Sequence, residues 1–155
     1  MQPSQTTPDE KHPLAPYLIV KGAARAIEHY VQVFAAKEIY RLVEPSGKIG
    51  HAELEIAGSR FMLADEYPDW GALSPVTVGG SPVSLHLYVD DVDAVVARAV
   101  DAGATLLRAV KDEFFGDRTA QVVDPFGHKW FLATHQADIS PEEMQRRMDA
   151  AFESA

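Results

Sequence analysis

Hydrophobic and polar positions follow two different periods within residues 82–104 of the chain. Apolar residues first alternate with the polar residues Ser84, His86 and Tyr88, as in a strand with one buried face. Beyond Asp91, apolar residues recur at three- and four-residue steps, namely Val92, Val95, Val96, Ala99 and Val100. An acid at the start and Gly103 at the end are typical helix caps. The stretch is therefore predicted to be a strand that leads into an amphipathic helix.

A second copy of this pattern lies 69 residues earlier, where Leu18 takes the place of Leu87. The same shift pairs apolar positions in the helix and in a later strand: Ala23 with Val92, Ile27 with Val96, Val31 with Val100, Phe61 with Trp130, Met62 with Phe131 and Leu63 with Leu132. A fixed distance with matched periodicity indicates one supersecondary module that is used twice.

Each copy is predicted to contain a strand, a helix and three further strands, in the order βαβββ. In the first copy, residues 14–20 form the opening strand, and a helix over residues 22–36 buries a stripe of Ala23, Ile27, Tyr30, Val31 and Phe34. The remaining strands are predicted at residues 37–44, 51–57 and 60–66 in the first copy, and near residues 105–110, 118–124 and 128–134 in the second.

The chain as a whole is predicted to be α+β, with tandem βαβββ modules whose curved mixed sheets enclose a cleft. Its regions are a flexible tail at residues 1–13, module 1 at residues 14–66, a linker at residues 67–82, module 2 at residues 83–135 and a C-terminal helix within residues 136–155. Ser140 and Pro141 give that last helix a favourable start, and Met144, Met148 and Phe152 form a narrow apolar stripe on it.

Composition narrows the class of protein. The chain has 155 residues, of which 46% are hydrophobic, and this suits one compact domain. It contains no cysteine, so it has no disulfide, no thiolate metal ligand and no cysteine nucleophile. No apolar run approaches the roughly 20 residues of a membrane span, and the N-terminus lacks the layout of a signal peptide. We therefore expect a cytoplasmic protein without a membrane partner.

The charge balance bears on the choice of partner. The chain has 14 Lys and Arg residues against 23 Asp and Glu residues, a formal charge of −9. Such a charge disfavours nucleic acid and leaves neutral or cationic ligands easier to hold, although it also serves solubility alone. The Gly79-Gly80 pair lacks the flanking strand and helix of a phosphate-binding loop. We therefore expect a small-molecule ligand rather than nucleic acid.

Several short segments carry a family resemblance: residues 84–93 (SLHLYVDDVD), 116–118 (GDR), 124–128 (DPFGH) with Trp130, 133–135 (ATH) and 140–144 (SPEEM). With the doubled module, they resemble the glyoxalase/bleomycin-resistance/extradiol-dioxygenase superfamily, also called vicinal oxygen chelate proteins, and within it the PhnB-like, glyoxalase-related branch. The resemblance implies the βαβββ-βαβββ fold and a homodimer, since related proteins complete their clefts across two chains. It does not fix the chemistry, because the superfamily shares one architecture among unrelated reactions.

The resemblance also assigns positions to the metal ligands of metal-dependent members. Carried onto this chain, they fall on Ala15, Met62, Ser84 and Phe131. A divalent cation requires imidazole or carboxylate donors at roughly 2 Å, which these side chains do not supply. We therefore expect no cofactor and a cleft that works without metal, as in the bleomycin-resistance proteins.

Strand parity places other polar residues on the open faces, which we define as the sheet faces away from the helices. The set consists of His51, Glu53, Glu55, Arg60, His86, Tyr88, Lys129 and, at one strand end, Arg118. Beside the apolar Met62 and Phe131, these side chains suit an organic ligand with a few polar anchors. The predicted ligand site comprises His51, Glu53, Met62, His86, Tyr88, Arg118 and Phe131, with Glu53 and His86 as candidate catalytic residues.

The sequence also suggests structural or ligand-binding roles for four individual residues. Asp124 is predicted to lock a hairpin turn, and Trp130, which matches Phe61 in the repeat, to lie in the core. Arg118 either contacts the ligand or forms a salt bridge with Asp117. Trp70, in the linker, either stacks on a ligand or covers a sheet edge.

Three classes of function remain open. The main prediction is a metal-independent protein that binds a small organic ligand. The first alternative is a glyoxalase-like lyase or isomerase, or another enzyme, that uses acid–base residues such as Glu53 and His86. The second is an enzyme with a displaced divalent metal held by His51, Glu53 and His86. The sequence does not decide whether the chain is an enzyme.

Overall fold

The computed structural model describes residues 13–155, so residues 1–12 of the predicted flexible tail lie outside the described residues. The chain divides into two compact units, Met1–Gly80 and Ser81–Ala155, here called unit 1 and unit 2. Each unit contains its own sheet and its own helix packed on that sheet. No helix within residues 13–155 is long and apolar enough to cross a membrane.

Unit 1 is a four-stranded mixed sheet with strand order β1-β4-β3-β2. Strands β1 and β4 are parallel, and the other neighbours are antiparallel. The elements are β1 (Tyr17–Val20), α1 (Ala23–Phe34), β2 (Lys37–Val43), β3 (Ile49–Ile56) and β4 (Ser59–Asp65).

Unit 2 repeats this topology with strand order β5-β8-β7-β6 and one parallel pair, β5 and β8. Its elements are β5 (Ser84–Tyr88), α3 (Val92–Asp101), β6 (Thr105–Asp112), β7 (Asp117–Val123), β8 (Lys129–His135) and the C-terminal helix α4 (Pro141–Glu153). The α+β fold with doubled βαβββ modules and a C-terminal helix is therefore confirmed.

Strand register confirms the internal repeat. Tyr17 pairs with Met62 across β1 and β4, and His86 pairs with Phe131 across β5 and β8. Both members of the second pair lie 69 residues after their counterparts in the first. The middle strands instead match at a distance of 68 residues, because Ala57 and Gly58 alone connect β3 to β4, whereas residues 124–128 connect β7 to β8. The longer loop of unit 2 accounts for the difference.

The core of each unit lies between the helix and one face of the sheet. Ile27 and Tyr30 are almost fully buried, and the Tyr30 ring meets the Phe61 ring edge-on at a centroid distance of 5.8 Å. Trp130, 4% exposed, lies in the core of unit 2 as predicted. In both units the face that packs on the helix is therefore the apolar one.

The helical stripes differ from the prediction at one equivalent position in each unit. Val31 and Val100, expected to be buried, are 45% and 43% exposed. Each follows the centre of its buried stripe by one residue, which turns it about 100° around the helix axis. In α1 the buried arc extends to the other side instead and takes in Ala26, His29 and Val33.

The connection between the units is more ordered than the predicted linker. It contains a 3-10 helix, Pro68–Trp70, and the short helix α2 (Pro75–Val78). Ser74 caps α2 and is fully buried, and both its backbone N–H and its hydroxyl donate to Glu66 Oε1. The two helices have only three and four residues, which is too short for a hydrophobic period to be detected.

Two predicted capping features are present. Asp124 Oδ1 accepts hydrogen bonds from the backbone N–H groups of Phe126 and His128, and Oδ2 accepts one from Trp130 Nε1. The same carboxylate thus locks the hairpin and fixes the buried indole. Ser140 caps α4, on which Phe152 is 77% exposed.

The last strand of each unit holds the beginning of its helix. Gly22 offers α1 no side-chain cap, and Asp65 Oδ1 accepts from the N–H groups of Gly22 and Ala23 at 3.1 and 2.9 Å. Asp65 Oδ2 accepts from Ile49 N at 2.8 Å. In unit 2 the equivalent residue, Thr134, accepts from Val92 N at 2.9 Å and donates to Val89 O at 3.0 Å.

Asp65→Ala is predicted to lower the free energy of unfolding by about 3 kcal/mol, because three backbone N–H groups lose their acceptor. Thr134→Val removes one acceptor and one donor at similar volume and should cost about 1 kcal/mol. Urea denaturation measures both, with Asp69→Ala on the exposed 3-10 helix as the control. Equal stability of the Asp65 and Asp69 variants would contradict this role.

Candidate functional site

The open face of unit 1 carries a cluster of polar and aromatic side chains from all four strands. Glu53 on β3 lies opposite Met62 on β4, which in turn lies opposite Tyr17 on β1. His51 Nδ1 is 2.8 Å from Tyr17 Oη, and Tyr40 on β2 donates to Glu53 Oε1 at 3.1 Å. The structure therefore brings together His51, Glu53 and Met62, three of the predicted ligand residues.

Two basic side chains flank Glu53 in this cluster. His51 Nε2 lies 3.5 Å from one carboxylate oxygen and an Arg60 nitrogen lies 3.6 Å from the other. Burial raises the pKa of Tyr17. The pKa of Tyr40 is raised by burial and then by its hydrogen bond to Glu53. Both tyrosines therefore stay protonated at neutral pH; Tyr40 donates to Glu53, and Tyr17 forms a hydrogen bond with the His51 ring.

The open face of unit 2 is organised in rows across its strands. His86 on β5 pairs with Phe131 on β8, Phe131 with Gln121 on β7, and Gln121 with Arg108 on β6. The His86 and Phe131 rings are stacked at a centroid distance of 5.4 Å, and the His86 ring also meets Tyr88 at 4.8 Å. Three predicted ligand residues, His86, Tyr88 and Phe131, therefore form one aromatic surface.

A cavity of about 520 Å³ opens beside this aromatic surface. Its lining combines aromatic, apolar and ionisable side chains: His86, Tyr88, Phe115, Asp117, Phe131, His135, Asp138, Ile139 and Met144. Such a mixture of apolar walls with a few convergent polar groups is typical of sites for small organic molecules.

A chain of hydrogen bonds crosses one wall of the cavity. Tyr88 Oη donates to Asp117 Oδ2 at 3.0 Å, and His135 Nδ1 lies 2.8 Å from Asp117 Oδ1. The other ring nitrogen, His135 Nε2, lies 2.7 Å from Asp138 Oδ1. Because imidazole donates from both nitrogens only when protonated, this arrangement favours an imidazolium ion.

The pKa shifts agree with this geometry. Hydrogen bonds to Asp117 and then to Asp138 raise the pKa of His135. The hydrogen bond to Asp117 also raises the pKa of Tyr88. Asp117 is only 5% exposed, so this carboxylate is a fixed acceptor whose position depends on Tyr88 and His135. The wall can accept a hydrogen bond from a ligand or exchange a proton with it.

A second cavity, of about 540 Å³, lies on the other side of Phe131. Its polar lining includes Arg108 and Lys111 on β6, Glu113 just after β6, and Thr119 on β7. Lys111 Nζ is 3.7 Å from Glu113 Oε2. The two cavities share the Phe131 ring and differ in the charges that surround them.

The four positions assigned to metal ligands by resemblance do not fit a divalent cation. Ala15 precedes β1, Met62 lies on β4, Ser84 begins β5 and Phe131 lies on β8. A methyl group, a thioether and a phenyl ring are not donors for such an ion, and the Ser84 hydroxyl lies 3.4 Å from Gln121 Nε2. Within residues 13–155 no three His, Asp or Glu side chains are arranged to hold a metal.

The structure does not bring Arg118 to the open face. Arg118 pairs with Thr134, which holds the beginning of α3, so it lies on the helix side of β7. Its guanidinium donates to both oxygens of Asp93 and to Asp112 Oδ1, and these carboxylates raise its pKa. The predicted placement was wrong by one residue, and its partners are these two carboxylates rather than Asp117.

Several residues of the two clusters were not predicted. In unit 1 they are Tyr17 and Tyr40, and in unit 2 they are Asp117, His135 and Asp138. Asp117 and His135 lie directly opposite each other on β7 and β8, and this pairing is visible only once the strand register is known. Trp70 stacks on Tyr67 in unit 1 and is 81% exposed, and its contact with a ligand stays a prediction.

Comparison with known proteins gives a family match. Residues 11–132 match the model of the Glyoxalase/Bleomycin resistance protein/Dioxygenase superfamily. An uncharacterized protein of Mycobacterium bovis is 43% identical over 140 residues, which cover 88% of this chain and 92% of that protein. An X-ray structure of an Arabidopsis thaliana gene product is 31% identical, with a TM-score of 0.64 over 77% of this chain and 96% of that one. A PhnB protein from Bacillus cereus is similar in fold, with 18% identity and a TM-score of 0.64 over 79% of this chain and 98% of that one.

His135 is predicted to stabilise the protein most at low pH. Because its folded pKa is raised, its contribution is complete below the unfolded value of about 6.5 and is lost as the pH rises through the folded value. The stability difference between the unsubstituted protein and His135→Gln should therefore shrink as the pH rises from about 6 to about 9. Urea denaturation across this range measures the difference. A constant difference would contradict the assignment, and Asp138→Asn should reduce the pH dependence.

Proposed function

The chain belongs to the Glyoxalase/Bleomycin resistance protein/Dioxygenase superfamily, and from this premise we propose that unit 2 binds a small organic ligand without a divalent metal. The ligand lies on the open face, in the cavity of about 520 Å³. The stacked rings of His86 and Phe131 supply a flat apolar surface, and Tyr88, Asp117 and His135 supply polar anchors.

The buried carboxylate of Asp117 is the observation that carries this proposal. It lies at the cavity wall, is 5% exposed and is fixed by Tyr88 and His135. A buried carboxylate requires hydrogen-bonding partners, and here those partners are side chains that also line the cavity. The cavity therefore has preorganised polar groups beside an aromatic surface, which is the combination that fixes the orientation of a small molecule.

The donor chemistry supports binding without metal. The positions that hold ligands in metal-dependent relatives carry Ala15, Met62, Ser84 and Phe131 in this chain. Of these, Phe131 contributes its ring to the aromatic surface, which a carboxylate ligand at that position would interrupt. Position 131, which the resemblance assigns to a metal ligand, thus contacts the organic molecule instead.

A second candidate function is acid–base catalysis. The observation that favours it is the pair of short contacts at His135, whose ring nitrogens each reach one carboxylate oxygen. Glu53 in unit 1 and His86 in unit 2 remain candidate catalytic residues for this alternative. In it, the exposed Asp138 would give way to a bound substrate, His135 Nε2–H would donate its proton to that substrate, and Asp117 would keep the Nδ1–H group in place.

The binding proposal predicts a ligand that binds in the presence of a metal chelator. A thermal-shift panel of cationic glycopeptides and small 2-oxo acids, followed by calorimetry with EDTA, should yield a compound whose affinity EDTA leaves unchanged. Asp117→Asn should weaken that affinity about ten- to hundredfold, because the ligand loses a charged acceptor. Phe131→Ala should weaken it by removing the ring surface.

Asp112→Asn is the matched control, since Asp112 lies on the helix side of the same sheet and binds Arg118. Loss of binding on EDTA treatment, with recovery on adding a divalent metal, would overturn the metal-independent proposal. If NMR shows that the bound compound is converted, and if His135→Gln abolishes this conversion, the protein is an acid–base enzyme rather than a binding protein.

We also propose that the protein is a homodimer, as the family resemblance implies. Exposed apolar residues support an interface, among them Leu42 and Val43 on the edge strand β2 and Phe152 on α4. Sedimentation equilibrium at micromolar concentration should give twice the mass of one chain. A mass of one chain under these conditions would contradict the dimer.

A further inference from the structure

We propose that the ligand of unit 2 carries an acidic group, a carboxylate or a phosphonate, which binds Arg108 in the second cavity. This inference rests on the proposed function and adds the charge class of the ligand. The body of the molecule lies across Phe131, the wall shared by both cavities, and its other end reaches Asp117.

Strand register places Arg108 on the same face as the proposed site. Arg108 pairs with Gln121, Gln121 with Phe131, and Phe131 with His86, so one row crosses the sheet from β6 to β5. Neighbouring strands are about 4.8 Å apart, so the row spans about 14 Å between its outer backbones. Because the long Arg108 side chain takes up part of this span, the remaining length suits a molecule of one or two rings.

The next row across the sheet does not offer the ligand a second path. In the next row across the sheet, Tyr88 pairs with Ala133, Ala133 with Thr119, and Thr119 with Lys111. Ala133 and Thr119 have short side chains, while the aromatic residues and the long cations stand at the sides. Ala133 and Thr119 are only 0% and 3% exposed, however, so this row is covered, and the ligand lies instead along the partly exposed row of Gln121 and Phe131.

Arg108 differs from the other arginines of unit 2 whose partners are identified. Arg118 binds Asp93 and Asp112, and Arg146 and Arg147 share Glu143. Arg108 forms no ion pair or side-chain hydrogen bond with any residue in the range 13–155. Its neighbour Lys111 has a distant, exposed contact with Glu113, whose Oε1 already accepts from Thr119.

An unpaired guanidinium at a cavity wall binds an anionic group in preference to a neutral one. In a chain with a formal charge of −9, acidic residues are abundant, yet none of the described ones pairs with Arg108. The planar guanidinium offers parallel N–H groups that match the oxygens of a carboxylate or phosphonate. Arg108 and Lys111 outnumber the one carboxylate of their cavity, Glu113, whereas in the other cavity the carboxylates of Asp117 and Asp138 outnumber the single cation of His135. The acidic end of the ligand is therefore directed to Arg108.

Matched probes test this charge class directly. Saturation-transfer and protein-observed NMR would compare 3-phenylpropionate with 3-phenylpropionamide, and benzylphosphonate with benzyl alcohol. In the unsubstituted protein the acids should bind about tenfold or more tightly than their neutral partners, with shifts at Gln121 and Thr119. A stronger preference for one of the two acids identifies carboxylate or phosphonate as the acidic group.

Arg108→Gln should abolish the discrimination between acid and neutral partner while leaving the binding of the neutral compounds unchanged. Arg108→Glu should reverse the preference and favour benzylamine over 3-phenylpropionate. Because Arg108 is exposed, neither change should disturb the fold, and circular dichroism verifies this. Arg98→Gln, on an exposed position of α3, is the matched control and should retain the preference for acids.

The possible results separate this inference from the proposed function. Equal binding of acids and neutral partners, or a preference that survives Arg108→Gln, overturns the charge class and leaves the binding site intact. If no probe shifts any residue of the open face, and the ligand panel also yields nothing, the proposed function fails together with the inference. Loss of discrimination confined to the Arg108 variants supports the inference.

Discussion

The contact between the last strand of each unit and the first turn of its helix determines what the two sheet faces can do. Asp65 in unit 1 and Thr134 in unit 2 satisfy backbone N–H groups that the helices cannot satisfy themselves. This contact fixes the helix over one face, where Phe61 and Leu63 of β4 and Trp130 and Leu132 of β8 are buried. The opposite face carries no such packing requirement, so it can hold His51 and Glu53 in one unit and Asp117 and His135 in the other.

Much of the fold could be predicted because the repeat supplies the same information twice. The shift that pairs Leu18 with Leu87 also pairs Leu63 with Leu132, and these residues are adjacent in the parallel strand pairs of the structure. A periodic pattern gives the face of a strand reliably when apolar and polar residues alternate, as they do in β3. The same kind of pattern shows less well where the buried side of a helix ends. For that reason Val31 and Val100 were placed in the core although they are exposed.

The site was predicted only in part, since strand register decides which polar residues meet. Arg118 and Asp117 are adjacent in sequence but lie on opposite faces of β7, and an error of one residue in the strand exchanges them. His86 and Tyr88 could be predicted because β5 alternates regularly, whereas Phe131 was placed on the open face by the family resemblance. The contact of Asp117 with His135 depends on the pairing of β7 with β8, which no local pattern of the sequence specifies.

The hydrogen bond from Trp130 to Asp124 gives the molecule an internal optical probe. Of the two tryptophans in the chain, Trp130 is buried in unit 2 with its indole nitrogen bound to a carboxylate, while Trp70 in unit 1 is stacked on Tyr67 and open to solvent. An indole in an apolar core and an indole in water emit light at different wavelengths. Red-shifted emission from Trp130 on unfolding therefore reports on the core of unit 2, and selective quenching by a water-soluble quencher reports on Trp70. The unfolding of the core of unit 2 can thus be followed without any label.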